Sequence, residues 1–140
     1  MKKISKKFSV AIKLSTLMTL SLFGASNIAK ADDLQRLAVS LCKSAKTDKR
    51  AVMRKKLRTA RMRLKDLYDG LRCGSQGSLL RVATNSNSLD AAKFITTKVG
   101  KKGLTFVEPD GLNIIQWTEN LVAAGDPSKQ VFVDLYRSKM

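Results

Sequence analysis

Residues 48–69 read DKRAVMRKKLRTARMRLKDLYD, and this stretch decides the fold. Apolar residues recur in it at spacings of three and four, which is the period of one face of an α-helix. Lysine and arginine fill most of the other positions. The pattern predicts a strongly basic amphipathic helix over 48–69. Its apolar face consists of Met53, Leu57, Ala60, Leu64, Leu67 and, just beyond the stretch, Leu71.

The N-terminus has the pattern of a secretory signal peptide. A lysine-rich start is followed by an apolar run from Leu14 to Phe23, and Ala29-Lys30-Ala31 has small residues at the two positions that a signal peptidase reads. The alternative is an uncleaved membrane anchor, which the short run disfavours because a spanning helix needs about 20 apolar residues. We expect residues 1–31 to be a signal peptide. Residues 32–140 would then form a single small helical domain that is periplasmic or secreted.

The positive charge is concentrated in one part of the chain. The formal net charge is +16, and removing residues 1–31 takes away six lysines and no acidic residue, which leaves +10. Residues 43–72 contain twelve basic and three acidic residues, so nine of these ten charges lie there. Such a surface attracts anionic membrane surfaces or polymers in a salt-dependent way. The alternative is a solvated helix face that only keeps the protein soluble.

The candidate anion-binding residues lie on the basic stretch. A nucleic-acid partner is disfavoured by export, and also because no aromatic residue precedes Tyr68 in the stretch to stack on bases. We therefore expect the partner to be an anionic membrane surface or an envelope polymer. The predicted anion-binding residues are Arg50, Arg54, Lys55, Arg58, Arg61 and Lys65.

The two cysteines of the chain, Cys42 and Cys73, flank the basic stretch. In an exported protein they predict one disulfide bond, with free or intermolecular thiols as the alternative. A straight helix from Arg50 to Tyr68 would be about 29 Å long. A disulfide needs α-carbons within about 7 Å. Both conditions can hold if the helix bends, so we predict a break or sharp bend between Leu57 and Met62.

Shorter patterns predict further helices. Asp48 suits the positive end of the basic helix, and Ser88 is predicted to be the N-cap of a helix that Gly100 ends. The helices are expected over 33–45, 78–85, 89–99, 113–124 and 127–137.

Two stretches are open to a strand interpretation. Leu104–Val107 is the most strand-like, and Glu108-Pro-Asp-Gly111 has the residues of a turn, so a β-hairpin over 104–117 is left open. A strand over 131–136 is the alternative to the last helix. The predicted fold class is mostly α, a small bundle or stack of short helices, with α+β as the alternative.

Two segments resemble ankyrin-type helical hairpins. The first is Gly77–Ile95. The second contains Asp110-Gly111 and then Ile114, Ile115 and Trp117, about one ankyrin period of 33–34 residues downstream. The resemblance implies stacked short helices that could present a groove to a protein partner.

The order of motifs along the chain is similar to that of a family of small uncharacterised exported proteins of Gram-negative bacteria with two cysteines. The likeness lies in Leu67-Tyr68 through Cys73 and in Leu79-Leu80, after a signal peptide and a basic helix. The resemblance implies export and a disulfide bond. It implies no activity.

The composition excludes several catalytic chemistries. The chain has no histidine, which removes histidine-based nucleophile activation, histidine general-base catalysis and most zinc sites. Paired cysteines would leave no thiolate nucleophile, and no glycine-rich phosphate loop is present. We therefore expect a non-enzymatic protein without a metal or cofactor. An enzyme of unusual type would have to depend on a carboxylate such as Glu119 or Asp126.

Two binding functions remain as hypotheses. The first is an exported basic protein that binds an anionic envelope component through residues 48–69. The second is a protein-interaction module built on the ankyrin-like hairpins. The oligomeric state is left open.

Overall fold

The computed structural model describes residues 24–140, which form helices joined by short turns. No strand occurs among these residues, so the mostly α fold class is confirmed. Three single turns of 3₁₀-helix lie at Tyr68–Gly70, Gly74–Gln76 and Pro127–Lys129. The α-helices are α1 (Gly24–Lys46), α2 (Arg50–Ala60), α3 (Leu64–Leu67), α4 (Leu79–Asn85), α5 (Leu89–Thr105), α6 (Ile114–Ala123) and α7 (Gln130–Arg137).

Most of the predicted signal peptide lies outside the described residues. The expected cleavage position after Ala31 falls within α1, which begins at Gly24 rather than at the predicted Asp33. From Leu37 onward α1 places an apolar face in the core, where Leu41 and Ala45 are buried. This face packs against α2 and α4. The core-facing part of the first predicted helix is therefore as expected.

The basic stretch is broken where the cysteine spacing predicted. The disulfide Cys42–Cys73 is formed, with 5.6 Å between the two α-carbons. Helix α2 ends at Ala60, and Arg61 adopts the left-handed conformation with φ 54°. The chain then turns and resumes as α3 at Leu64. Since Arg61 lies between Leu57 and Met62, the predicted break is confirmed.

The apolar face of the basic stretch forms part of the core, with one correction. Met53, Leu57 and Leu64 are buried against α1 and α5, as the spacing predicted. Ala60 is exposed instead, because the helix ends there and the chain turns away. The spacing of an unbroken helix therefore does not predict burial correctly at the break.

The β-hairpin that the sequence left open over 104–117 is not supported, since no strand occurs among the described residues. Helix α5 is interrupted at Gly100, where φ is 63°, and then resumes as far as Thr105. Leu104 is fully buried in the core, and a Cβ at Gly103 would clash with the Val99 side chain, so only glycine fits there. These contacts favour a helical turn over the strand that the local β-propensity indicated. The predicted turn is present, since the Gly111 amide donates to the Glu108 carbonyl at 2.9 Å.

The last segment is helical rather than a strand. Phe132, Val133 and Tyr136 are buried, whereas Val131 and Asp134 are exposed. This spacing is that of one helix face. Strict alternation along a strand would have placed Asp134 on the same side as Phe132 and Tyr136, with Val133 on the opposite side. The Tyr136 hydroxyl lies 2.7 Å from the Thr84 hydroxyl, and burial raises the pKa of Tyr136.

Asp48 caps a different helix from the one predicted. Its Oδ1 atom accepts a hydrogen bond from the Ala91 amide at 2.7 Å, at the start of α5. Ser88 precedes α5 as expected, but its hydroxyl donates to the Lys46 carbonyl at 3.1 Å instead of capping the helix. The turn between α1 and α2 is thereby joined to the N-terminus of α5, which fixes the position of α2 beside α5.

A buried ionic cluster joins α4 to the segment before α6. Arg81 is 7% exposed, and its guanidinium donates to both carboxylate oxygens of Asp110, at 2.6 and 2.9 Å, and to the Leu112 carbonyl at 3.1 Å. Its Nε lies 3.0 Å from buried Glu108, an ionic contact without aligned hydrogen-bond geometry. The guanidinium lies 5.0 Å from the Trp117 ring. Its hydrogen bonds lower the pKa of Asp110.

The disulfide is expected to contribute about 3–4 kcal/mol to the free energy of unfolding, since it closes a long loop of the unfolded chain. The sequence separation of the two cysteines is 31 residues. Replacing both residues, Cys42→Ala with Cys73→Ala, should lower this free energy by that amount in urea titrations. Reductant should destabilise the native chain similarly and leave the double variant unchanged. An unaltered midpoint for the reduced native chain would contradict the assignment.

Arg81→Met is expected to destabilise the fold by about 3–5 kcal/mol, because it leaves Glu108 buried without its partner. Adding Glu108→Gln should restore part of the loss, since the remaining group is then uncharged. Arg137→Met is the matched control: it removes an exposed ion pair with Glu119 and should cost less than about 1 kcal/mol. Denaturant unfolding measures all three variants, and equal losses for Arg81→Met and Arg137→Met would show that the cluster is not a structural anchor.

A candidate anion-binding cleft

A basic cleft lies between α2, the turn after it, and α5. Its volume is about 610 Å³. Five of its nine lining residues carry a positive charge and none carries a negative charge. The lining residues, which define the basic cleft, are Arg54, Leu57, Arg58, Met62, Arg63, Leu64, Lys65, Phe94 and Lys98.

The break at Arg61 brings the two halves of the basic stretch to the same cleft. Two backbone hydrogen bonds of 3.1 Å close the end of α2, from the Arg61 amide to the Arg58 carbonyl and from the Met62 amide to the Leu57 carbonyl. Arg63 is extended, and Leu64 is then buried in the core. This reversal places Arg63 and Lys65 beside residues of α2 that a straight helix would have carried away from them.

Phe94 forms an aromatic surface between two cations of the cleft. Its ring is largely buried, at 5% exposure, and belongs to the core. The guanidinium of Arg54 lies 5.9 Å from the ring centroid, and the Lys98 ammonium lies 5.8 Å from it. Both contacts are within the range of cation–π attraction. Phe94 and Lys98 are four residues apart on α5, so the same helix face presents both.

The cleft has an excess of positive charge that nearby acids do not neutralise. Arg63 pairs with Asp66 at 2.7 Å. Both side chains are exposed, so this ion pair contributes little to the stability of the fold. Within the described part of the chain, Arg54, Arg58, Lys65 and Lys98 make no ion pair within 4 Å. Like charges on a confined surface repel one another, and a bound anion would relieve that repulsion.

Three of the six predicted anion-binding residues come together in the basic cleft. Arg54, Arg58 and Lys65 line it. The other three, Arg50, Lys55 and Arg61, are exposed elsewhere on the surface and do not line it.

Sequence reasoning missed Arg63 and Lys98. Arg63 lies in the basic stretch, but its position depends on the break at Arg61. The Phe94–Lys98 spacing was visible as a helical pair. Nothing in the sequence shows that this face of α5 packs beside α2, which the Asp48 cap at Ala91 determines.

The carboxylates named for an unusual enzyme are engaged in ordinary ion pairs. Glu119 pairs with Arg137, and Asp126 lies 3.8 Å from the Lys129 ammonium. Lys129 is buried and also donates to the Asn87 side-chain oxygen at 2.7 Å. Within residues 24–140, no three cysteine, aspartate or glutamate side chains group as metal ligands would. The helices described over that range are too short or too polar to span a membrane.

Part of the chain matches a protein family. Residues 41–106 match the family described as a protein of unknown function (DUF3718). No curated protein and no solved structure matches the chain. The matched region contains both cysteines and every residue that lines the basic cleft. Residues 41–106 are therefore similar to the DUF3718 family, and the Cys42–Cys73 disulfide lies within this region.

Proposed function

We propose that this chain is an exported, non-enzymatic protein that binds an anionic component of the cell envelope through the basic cleft. The observation that carries the proposal is the gathering of Arg54, Arg58, Arg63, Lys65 and Lys98 around one concave surface without an acidic lining residue. A solvated helix face needs no such gathering. The cleft therefore favours a bound anion over a purely solubilising role.

Phosphate groups are the anions that this cleft fits best. Arginine presents a planar set of donors that matches the oxygens of a phosphate, and lysine adds a flexible point charge. Basic residues held near an anionic membrane each contribute about 1 kcal/mol of attraction. The phosphate headgroups of an anionic membrane surface are therefore our proposed partner.

The proposal of export depends on the N-terminal pattern and the disulfide. Disulfide bonds persist in oxidising compartments such as the periplasm. The resemblance to exported Gram-negative proteins stays a prediction, although the residues that carry it, 67–73 and 79–80, lie inside the DUF3718 region. These features agree with a periplasmic or secreted location.

The interaction-module hypothesis stays an alternative prediction. Helices α4 and α5 contact each other, as do α6 and α7, and these helix pairs support the alternative. Val107, between the two pairs, is 54% exposed. A protein partner that binds residues 78–124 would be insensitive to charge changes at Arg54 and Arg58 of the basic stretch.

The protein should bind vesicles of phosphatidylglycerol and phosphatidylcholine at low salt, and binding should weaken as salt is added. Arg54→Gln with Arg58→Gln should lower the affinity about tenfold or more, since two attractions of about 1 kcal/mol are lost. The measurement is cosedimentation with the vesicles. Pure phosphatidylcholine vesicles should not bind.

The matched control is Lys55→Gln with Arg61→Gln, which removes the same charge from the same stretch outside the cleft. This variant should bind more tightly than the cleft variant. The proposal fails if the anionic vesicles do not bind at low salt. It also fails if the two charge-matched variants bind equally, because net charge alone would then explain the attraction.

A further inference from the structure

A second concavity lies along α1, beside the disulfide, and the basic cleft does not include it. Its volume is about 870 Å³, within the roughly 300–1,000 Å³ of small-molecule pockets. Cys42 and Cys73 both line it. We call it the α1 groove. Its aliphatic lining residues are Leu34, Leu37, Ala38, Val39, Leu67, Leu71 and Val82.

Two of these aliphatic side chains are unusually accessible. Leu34 is 44% exposed and Val39 is 58% exposed. Exposed single apolar residues are common, but these two lie in one groove with five further aliphatic residues. Covering such a surface with an apolar ligand is favourable in proportion to the area removed from water.

The groove is apolar toward one end and positively charged toward the other. Leu34 and Val39 lie toward one end of the α1 segment, whereas Lys43 and Lys46 line the groove at the C-terminal end of the same helix. Leu34 and Lys46 are about 18 Å apart at 1.5 Å per residue. The two lysines are exposed and three residues apart, so they lie on neighbouring positions of one face.

The charges of the groove are mostly positive. Arg72 adds a third cation to the lining, and Asp66 is its acidic member. Asp66 already accepts a hydrogen bond from Arg63 at 2.7 Å, outside the groove lining. The negative C-terminal end of a helix is a favourable place for cations, which agrees with lysines at this end of α1. An anionic group on the ligand would complement them.

We propose that the α1 groove binds a free fatty acid, with the hydrocarbon chain along Leu34–Val39 and the carboxylate at Lys43 and Lys46. A fatty acid has an apolar chain and an anionic group at one end. The groove complements it, because it is apolar along its length and has cations at one end. The site is separate from the basic cleft and does not depend on it.

Gly70 offers a direct way to fill the groove. It lines the groove, its φ is not positive, and a Cβ built on it would meet no atom within 4 Å. A larger side chain at Gly70 therefore occupies groove volume without strain in the backbone or a clash with the core. Ala123, exposed at the end of α6, is a matched position outside the groove for the same aromatic residue.

Dodecanoate should bind the purified, disulfide-bonded protein at one site in calorimetry. Gly70→Phe should lower its affinity about tenfold or more, and Ala123→Phe should not change it. Lys43→Gln with Lys46→Gln should weaken dodecanoate but leave dodecanol unchanged, because only the acid carries a charge. Lys93→Gln with Lys101→Gln, which removes two lysines of α5, is the charge-matched control.

Absence of dodecanoate binding, or equal affinity of Gly70→Phe and the native protein, would overturn the proposal. If Gly70→Phe does not fold, the Lys43→Gln, Lys46→Gln variant still tests the proposal. Both lysines are exposed, so their replacement should not disturb folding. A native dimer that Gly70→Phe dissociates would assign the groove to a second copy of the chain instead. Arg54→Gln with Arg58→Gln should bind dodecanoate normally, so this result is independent of vesicle binding.

Discussion

The disulfide between Cys42 and Cys73 is the constraint on which the rest of the structure depends. It holds the two α-carbons 5.6 Å apart, while the basic stretch between them would extend about 29 Å as a straight helix. The chain satisfies both by reversing at Arg61. That reversal places Arg63 and Lys65 beside Arg54, which creates the basic cleft, and the same bond forms part of the α1 groove.

Cationic side chains occur in two different environments in this protein, one buried and one exposed. Arg81 is buried and surrounded by acceptors, because a buried guanidinium without partners would be strongly destabilising. The cations of the basic cleft are exposed, and four of them make no ion pair within the described residues. The first arrangement holds the segment before α6 against α4. The second leaves positive potential available to a partner, which is the physical basis of the proposed anion binding.

Local patterns predicted the helices well where caps and apolar spacing agreed, and failed where tertiary contacts decided. The break near Arg61 followed from the distance that a disulfide allows, although no glycine or proline marks it. The strand left open at 104–107 does not form, because burial of Leu104 outweighs local β-propensity. Three of the five cations of the cleft, Arg54, Arg58 and Lys65, were predicted from the charge run. Lys98 was not, since its place depends on Asp48 capping α5 across 43 residues of chain.

The central claim is that the cleft, rather than the total positive charge, recognises the anion. Glycerol phosphate is the headgroup of phosphatidylglycerol and can be titrated into the isotopically labelled protein while its NMR resonances are followed. We predict shifts that saturate together at Arg54, Arg58, Phe94 and Lys98, with smaller changes at Arg50, Lys55 and Arg61. Shifts spread evenly over all exposed lysines and arginines would contradict it.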